Sequence, residues 1–420
     1  MTQQSRRSAR TPLTSHGTAV QSLASAWLDV LADAPEVRAA GGDLACSPAG
    51  LWLALTAAAS GASGATAQEL RALLGAAGEE AAAAVRQAAE GLAATSALAT
   101  ALGLWARAPV HRAFREALPS LHLGGLAPED LSRVDAWVRE ATGGLIERLP
   151  LRPAPEALLV LASAVALTAR WDWPFDAADT RPRPFTDAAG RRHQVPTMTK
   201  AVSPADVWHV LPAGRDAGGG ARPARRRLGR LWRRAGEPRA DHPGAGDKAV
   251  TVVQLGCRAE GAGALPAVVR FVLGPPGAPP GQVLPAAWAP VDRRVAVDAD
   301  QVSVALPRLH LRTRLEVLPQ LERLGVRRAA SDDAQFPALS PTPLRISQVV
   351  QECRVTVAEQ GVTAAAVSAV EYLLAGAAVQ PSRPLHLAFD RPFGLVVLDG
   401  GGTVPLFAAW QARAPRDPEG

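Results

Sequence analysis

The sequence predicts an α+β fold in a single large domain. Residues 20–145 place apolar side chains at helical spacing, for example Leu23, Trp27 and Leu31. From residue 158 onward, alternating and β-branched stretches indicate strands instead. Helices come first and strands later, and short helical segments return between the strands. This order favours an α+β fold over the regular alternation of an α/β fold.

The elements of the first half follow from local signals. Ser47-Pro48 places a capping side chain before a first-turn proline, which predicts that a helix begins there. A strand is predicted over residues 98–106 and a helix around Phe114. The apolar spacing over residues 134–148 then predicts an amphipathic helix.

The elements of the second half begin with the apolar run 158–168, which predicts a buried strand. Alternation or β-branched residues predict two further strands, over 302–306 and 346–357. Helical spacing returns over 315–324, between those two strands. The stretch 395–407 reads as two short strands with a turn, which predicts a terminal hairpin.

The charge of the chain is concentrated in one segment. The 420 residues include 45 Lys and Arg against 39 Asp and Glu, which gives a net charge of +6 and a pI near 10.1. Residues 212–249, here called the basic segment, hold ten of the basic and four of the acidic residues, so the rest of the chain is neutral. The segment is rich in Gly, Pro and Ala, which favours a solvated insertion.

Two alternatives remain for the basic segment. One is a polyanion site, although heparin and nucleic acid are not the partners we favour, because few aromatic residues interleave with the charges. The other is a shifted reading frame in a GC-rich gene. The residues that would form the polyanion site are Arg225, Arg226, Arg227, Arg230, Arg233 and Arg234.

Several kinds of site are disfavoured by the sequence. Cys46, Cys257 and Cys353 are too far apart for a disulfide framework or a CxxC metal site, and the histidines lack metal-ligand spacing. We therefore expect no metal and no other cofactor. The chain contains neither a GxSxG nor a phosphate-binding loop, so we do not expect an enzyme.

A membrane partner is also not expected. The longest strongly apolar run without charge, residues 157–169, is 13 residues long. A membrane-spanning helix needs about 20. The first twenty residues are polar and lack the apolar core of a signal peptide, which favours a cytoplasmic location.

Eight separated segments resemble motifs of the serpin family, the large protease inhibitors that act by a conformational trap. The first four are Ser47-Pro48 with Gly61-Ala62-Ser63-Gly64-Ala65-Thr66, residues 134–138 with 142–146, residues 161–175, and Val195-Pro196-Thr197-Met198. The others are Leu306-Pro307-Arg308-Leu309, residues 336–340 with 346–350, Phe389-Asp390-Arg391-Pro392-Phe393, and residues 404–415. Because the eight occur in the family's own order, the chain resembles a serpin, which we take to be a bacterial-type member.

The resemblance implies a serpin fold with three β-sheets, eight or nine helices and an exposed reactive-centre loop. The domain is expected over residues 20–415, with the basic segment inserted in it. Residues 1–19 are expected to be a disordered tail and residues 416–420 a short one. The reactive-centre loop should lie between the strand that ends near Glu359 and the strand that begins near Leu385. A monomer is expected.

The resemblance also implies a serine-type endopeptidase inhibitor that acts as a suicide pseudo-substrate. The expected partner is an elastase-, subtilisin- or chymotrypsin-like protease, with a cysteine protease as an alternative. Two other functions stay open, a non-inhibitory serpin-fold binding protein and a polyanion-binding protein that uses the basic segment. An extracellular location also stays open, because inhibitors of this family often act there.

The amino-terminal part of the loop, here called the hinge, must enter a gap between two strands. Its side chains must therefore be small, uncharged and compatible with an extended backbone. The sequence meets these requirements up to Glu371. The resemblance assigns the hinge to Glu359, Gly361, Val362, Thr363, Ala364, Ala365, Ala366, Val367 and Ser368.

The scissile bond can be placed by two counts along the chain. The family's usual fourteen residues after Gly361 give one position, and the spacing back from Pro392 gives another near Pro381. We prefer the first count because it sets the length of the inserted strand, and Arg383 then lies too late to be attacked. The resulting candidates are Leu374, Ala375 and Gly376.

Ser47, Ser163, Trp171 and Gln351 correspond to the region where a serpin sheet opens. The chain departs from the family there, with Ser163 in place of an asparagine, Gln351 in place of a histidine and Gly50 in place of a second serine. Hydrogen bonding between Ser163 and Gln351 is still chemically feasible. The altered residues leave the efficiency of insertion open.

Overall fold

The computed structural model describes residues 12–211, 249–259, 264–361 and 383–416. The helices are α1 (Gly17–Leu31), α2 (Pro35–Ala39), α3 (Pro48–Ala59), α4 (Gly64–Leu74), α5 (Glu79–Ala93), α6 (Arg112–Ala117), α7 (Pro128–Ala141), α8 (Pro280–Val283) and α9 (Leu318–Arg323). Among the described residues, no helix is long and apolar enough to cross a membrane.

Sixteen strands are formed by the described residues. The first eight are β1 (Leu44–Cys46), β2 (Leu98–Ala106), β3 (His122–Gly125), β4 (Leu159–Leu167), β5 (Arg181–Thr186), β6 (Arg192–Val202), β7 (Val207–Val210) and β8 (Val250–Gly256). The others are β9 (Ala267–Leu273), β10 (Arg294–Ala296), β11 (Gln301–Pro307), β12 (Leu309–Glu316), β13 (Ile346–Val357), β14 (Pro384–Ala388), β15 (Phe393–Asp399) and β16 (Pro405–Gln411).

The strands form three sheets, as the resemblance to serpins implied. A seven-stranded sheet has the order β1-β16-β15-β9-β8-β7-β10, and a four-stranded sheet has the order β14-β11-β6-β5. A five-stranded sheet has the order β12-β13-β4-β2-β3. Helices and sheets in this mixture make an α+β fold.

Helix α3 lies between the seven-stranded and the five-stranded sheet. All twelve of its residues are buried, and it packs against β4 on one side and β16 on the other. The Ser47 side chain accepts a hydrogen bond from the backbone N–H of Gly50, and Pro48 occupies the first turn, so the helix begins where the sequence signal predicts. This cap places the start of α3 against the middle of the five-stranded sheet.

The two faces of the five-stranded sheet are covered differently. Its inner face joins the large core that contains α3. Its outer face carries a smaller apolar cluster, in which Val134 and Val138 of α7 pack with Trp105 of β2 and Val350 of β13. Helix α7 therefore covers part of the sheet from outside.

Several predicted boundaries differ from the structure. The helix predicted over 134–148 is α7, which spans Pro128–Ala141, and the helix predicted from 315 begins at Leu318 because Leu315 belongs to β12. The predicted tail 1–19 also changes, since Pro12–His16 forms a 3₁₀ helix and α1 begins at Gly17. The His16 ring stacks on Trp52 at 5.2 Å, which holds this segment against the core.

The basic segment connects two neighbouring strands. Strands β7 and β8 pair antiparallel, and Val210 lies directly opposite Val250. The chain therefore leaves and re-enters the seven-stranded sheet at adjacent positions, as expected for an insertion in a hairpin. Apart from Ala249, residues 212–249 lie outside the described residues, and so do the six arginines of the candidate polyanion site.

Candidate functional site: the opening of the five-stranded sheet

Two parallel strands of the five-stranded sheet, β13 and β4, are direct neighbours. Their pairing runs from Ile346 opposite Leu159 to Arg354 opposite Ala166. Beyond Arg354, the last residues of β13 pair only with β12. We call this end of the β13–β4 pair the opening, because it is where the ladder between the two strands stops.

Residues after β4 meet the turn that follows β13 at the opening. The backbone N–H of Trp171 donates to the Gln360 carbonyl at 3.2 Å, and its indole N–H donates to the Ala358 carbonyl at 3.1 Å. The Phe175 N–H donates to the Glu359 carbonyl at 2.8 Å. Trp171 itself is buried. The root of the hinge is therefore fastened across the opening.

Gly361 is the last described residue before the loop. It exchanges backbone hydrogen bonds with Ala358, so the chain reverses direction there. Its φ of +143° lies in a region that favours glycine, and a Cβ atom at this position would lie 2.3 Å from the Ala169 carbonyl oxygen. Only glycine allows the chain to turn this close to Ala169 and Arg170, which follow β4.

The Glu359 carboxylate is held by two side chains. Arg308 forms an ion pair with it at 2.8 Å, and the Thr180 hydroxyl donates to it at 2.6 Å. Burial raises the pKa of Glu359, but the hydrogen bonds from Arg308 and Thr180 outweigh burial, so the net pKa lies below its ordinary value. Neither Arg308 nor Thr180 was among the predicted site residues.

Replacement of Glu359 by Gln should remove part of the acid sensitivity of the fold. Because the pKa is lowered by folding, the carboxylate stabilises the protein above its unfolded pKa, and this contribution is lost as the pH falls through the folded pKa. Near neutral pH the E359Q variant should lose about 1–3 kcal/mol. The difference in melting temperature between the two proteins should shrink as the pH falls below about 4.5. A difference that is constant with pH would contradict this role.

Gln351 connects three elements beneath the sheet. Its side-chain oxygen accepts from the Ser47 N–H at 2.7 Å, and its amide nitrogen donates to the Ser47 carbonyl at 3.0 Å and to the Ser163 hydroxyl at 2.9 Å. The Ser47 hydroxyl donates to the Leu406 carbonyl at 2.6 Å. Ser47, Ser163 and Gln351 thus form one buried polar cluster that links the start of α3 with β4 and β13.

The glycine at position 50 has a steric reason. A Cβ atom there would lie 2.9 Å from the Ser47 hydroxyl oxygen and 3.4 Å from the Ser163 hydroxyl oxygen. A larger residue would push α3 away from β4 or displace the capping side chain. Gly50 therefore permits the close approach on which the polar cluster depends.

Substitution of Gln351 by Leu should destabilise the protein markedly. The change leaves the Ser47 N–H and carbonyl without their side-chain partner in a buried place, which we expect to cost about 2–4 kcal/mol. The matched control S163A removes one hydrogen bond of the same cluster and should cost about 1 kcal/mol. Urea unfolding of the three proteins measures both values. Equal losses in the two variants would refute the bridging role of Gln351.

Cys353 and Cys46 lie beside the polar cluster. Both are fully buried, and the Cys353 thiol contacts the Gln351 side-chain oxygen at 3.4 Å. Burial raises the pKa of Cys353 well above its ordinary value, so its thiol stays protonated. Cys353 therefore acts as a small buried apolar residue.

The described residues bring together only part of the predicted site. Ser47, Ser163 and Gln351 form the polar cluster. Trp171, Glu359 and Gly361 meet at the opening, where the pairing of β13 and β4 ends. In the part of the chain that the structure describes, no three His, Cys, Asp or Glu side chains could together hold a metal ion. The predicted residues that lie outside the described ranges are Val362, Thr363, Ala364, Ala365, Ala366, Val367, Ser368, Leu374, Ala375 and Gly376.

Comparison with known proteins decides the family. The model of the family described as "Serpin (serine protease inhibitor)" matches residues 28–210 and 286–411. The chain belongs to the serpin family. The gap between the two matched ranges contains the basic segment, so this serpin departs from the family where its charge is concentrated.

Relatives and solved structures agree with this assignment. The putative serpin-Z8 of Oryza sativa subsp. japonica is 28% identical over 90% of this chain and 92% of its own length. Serpin48 of the insect Tenebrio molitor, described as highly specific, has a TM-score of 0.70 at 21% identity and covers 95% of this chain and 98% of its own. Human thyroxine-binding globulin in complex with thyroxine has a TM-score of 0.70 at 17% identity and covers 97% and 100%.

At these identities the solved structures show the serpin fold and no more. The plant relative gives no support to the prediction of a bacterial-type member, which stays a prediction. A thyroxine-binding protein shares the fold with protease inhibitors, so inhibition has to be argued from this chain's own residues.

Proposed function

We propose that this serpin inhibits a serine endopeptidase as a suicide pseudo-substrate. The observation that carries the proposal is the opening, where pairing between β13 and β4 stops and the chain reverses at Gly361 into the loop. A strand that continues this reversal lies antiparallel to both β13 and β4. The small, uncharged hinge residues that follow Gly361 suit that position.

The proposed reaction begins as ordinary proteolysis. The protease serine oxygen attacks the carbonyl carbon of Ala375, the bond to the Gly376 nitrogen breaks, and that nitrogen leaves as an amine carrying the serine proton. The protease is then held as an ester on Ala375. Insertion of the hinge before water attacks the ester moves the protease away from the loop's original position and traps it.

The gain from insertion comes from backbone hydrogen bonds. In the described structure β13 and β4 pair with each other, and an inserted strand replaces this single ladder by two. Insertion must first release Trp171 and Phe175 from the turn 358–361 and part the strands above the polar cluster. These contacts therefore set how readily the sheet opens.

The residues before the proposed scissile bond indicate the class of protease. Tyr372, Leu373, Leu374 and Ala375 present apolar or small side chains, which suit the pockets of elastase-, subtilisin- or chymotrypsin-like enzymes. A cysteine protease forms the corresponding thioester and remains the alternative target. We propose that the inhibitor acts as a monomer.

Incubation with a panel of elastase, subtilisin, chymotrypsin and papain tests the proposed function. At least one enzyme should give a covalent complex that survives boiling in SDS, together with loss of its activity at near-stoichiometric inhibitor. Trypsin is the control within the panel, since the proposed bond follows alanine. Cleavage of the loop by every enzyme without any complex would refute inhibition.

The second candidate function is a non-inhibitory binding protein of the serpin fold. It is favoured by a cavity of about 810 Å³ between α1, the β7–β8 hairpin and the segment around α8, a size that suits small-molecule ligands. The cavity is lined mainly by apolar side chains, among them Val210, Leu211, Val283 and Trp288. Quenching of tryptophan fluorescence by thyroxine, and its absence in W288F, would support this candidate. If the protein binds thyroxine and also forms covalent protease complexes, inhibition would remain its main function.

A further inference from the structure

One face of the five-stranded sheet carries an excess of arginine. Successive residues of a strand point to opposite faces, and on β12 the residues Leu309, Leu311, Thr313 and Leu315 are buried. The alternate residues, His310, Arg312 and Arg314, lie on the outer face together with Arg354 of β13. We call these four residues the arginine face.

Among the described residues of β12 and β13, two carboxylates share this face: Glu352, directly opposite Arg314, and Glu316 at the end of β12. Glu352 is fully buried, and its two oxygens are held by Arg312 at 2.6 Å and by Arg314 at 3.2 Å. The side chains of Arg312 and Arg314 are nevertheless 40% and 52% exposed. Glu352 is therefore buried beside its two arginines on the same face, while their guanidinium groups remain partly accessible.

Two arginines of this face oppose each other. Arg312 pairs directly with Arg354 across the β12–β13 ladder, and like charges in directly opposite positions destabilise a sheet. Arg354 donates to the Leu145 carbonyl at 3.1 Å, which leaves its charge uncompensated by that contact. Burial lowers the pKa of His310, and the charges of Arg354 and Arg312 lower it further, as expected beside an electropositive surface. Glu352 offsets only part of the charge of the three arginines, so the face keeps a net positive charge that suits an anion.

We propose that the arginine face binds an extended acidic peptide segment of a partner protein. Arg312 and Arg314 are two residues apart on one strand, so their spacing along the sheet is about 7 Å. An extended peptide with carboxylates at every second position repeats at the same distance. Each carboxylate can then accept paired hydrogen bonds from one guanidinium group.

The geometry favours a peptide over a nucleic acid. The outward residues of β12 and β13 include no tryptophan, tyrosine or phenylalanine on which a base could stack. The spacing of Arg312 and Arg314 matches the two-residue period of an extended peptide. No residue of the arginine face belongs to the basic segment, and only Arg354 borders the opening. Peptide binding there requires no insertion of the hinge, so this inference does not depend on protease inhibition.

Fluorescence anisotropy with two labelled heptapeptides tests the proposal. One peptide alternates threonine with three glutamates, and the other has the same composition with the glutamates adjacent. The full-length protein should bind the alternating peptide at about 50 mM salt and lose most of that binding at about 300 mM. Equal binding of both peptides would refute the strand-like register. Competition by heparin or an oligonucleotide that is stronger than by unlabelled alternating peptide would show a different class of ligand.

Four variants test whether the peptide binds to the arginine face. R354Q should weaken binding about five-fold, and the control R323Q, which removes an exposed arginine of α9, should not change it. Because Arg314 compensates buried Glu352, it is tested in the double variant R314Q/E352Q, which removes both charges and should also weaken binding. A chain lacking residues 212–249 should bind unchanged. Loss of binding in that deletion, with unaltered binding by R354Q, would overturn the proposal.

Discussion

Cleavage of the loop within residues 362–382 is expected to raise the melting temperature on the order of tens of degrees. In the intact protein β13 and β4 share one ladder that stops at Arg354. A cut frees the hinge to insert between them, which adds a strand to the middle of the sheet and extends pairing past the opening. Calorimetry of intact and nicked protein measures the change.

The direction of this change distinguishes the two candidate functions. Nicking an ordinary surface loop leaves the melting temperature unchanged or lowers it, because the native state loses a constraint. A non-inhibitory protein whose loop stays outside the sheet should behave in that way. An unchanged melting temperature after a verified cut would therefore contradict insertion.

A single charge placed in the hinge is expected to abolish inhibition at one of two neighbouring positions. Successive residues of an inserted strand face opposite sides of the sheet, so Ala364 and Ala365 cannot both point into the core. The variants A364R and A365R carry the same charge one residue apart. The variant whose arginine faces the core should be cleaved without forming a complex, because burial of an unpaired guanidinium is costly.

The other variant of this pair is the matched control. It should retain covalent complex formation to within a few-fold, since its arginine remains on the outer face of the sheet. The stoichiometry of inhibition measures the effect for each. Loss of inhibition in both variants, or in neither, would contradict insertion as a β-strand.

Much of the fold is predictable because its strands carry strong local patterns. The limits of β2 and β13 coincide with the predicted 98–106 and 346–357, and β4 differs from the predicted run by one residue at each end. In these segments the pattern of buried side chains is set by alternation or by continuous burial, which is visible along the chain. The helix predicted from residue 134 begins at Pro128 because the first turn of α7 carries Pro128, Glu129 and Asp130, which mark a helix start by proline and charge and not by apolar residues.

The contacts of the candidate site are less predictable because they join distant parts of the chain. Gln351 meets Ser47 and Ser163, which lie far from it in sequence, and the resemblance suggested this neighbourhood without giving the hydrogen bonds. Arg308 stood within a quoted motif, yet nothing local indicated that it pairs with Glu359. Thr180 gave no sequence signal at all. Such pairs depend on the packing of three separate elements.

The structure also changes the interpretation of the net charge of the chain. The net charge of +6 comes from a segment between two adjacent strands, and the surrounding domain is neutral overall. The charges of this domain are nevertheless unevenly distributed, since Arg312, Arg314 and Arg354 share one face of the five-stranded sheet. The pI alone therefore indicates neither the basic segment nor the arginine face.

Mass spectrometry of the product formed with a subtilisin- or elastase-like protease tests the central claim most directly. We expect a covalent adduct of the protease with residues 1–375 and a released fragment that begins at Gly376. The adduct should survive denaturation. Complete cleavage at any loop bond, with free protease and no adduct, would contradict the claim that this serpin is a suicide inhibitor.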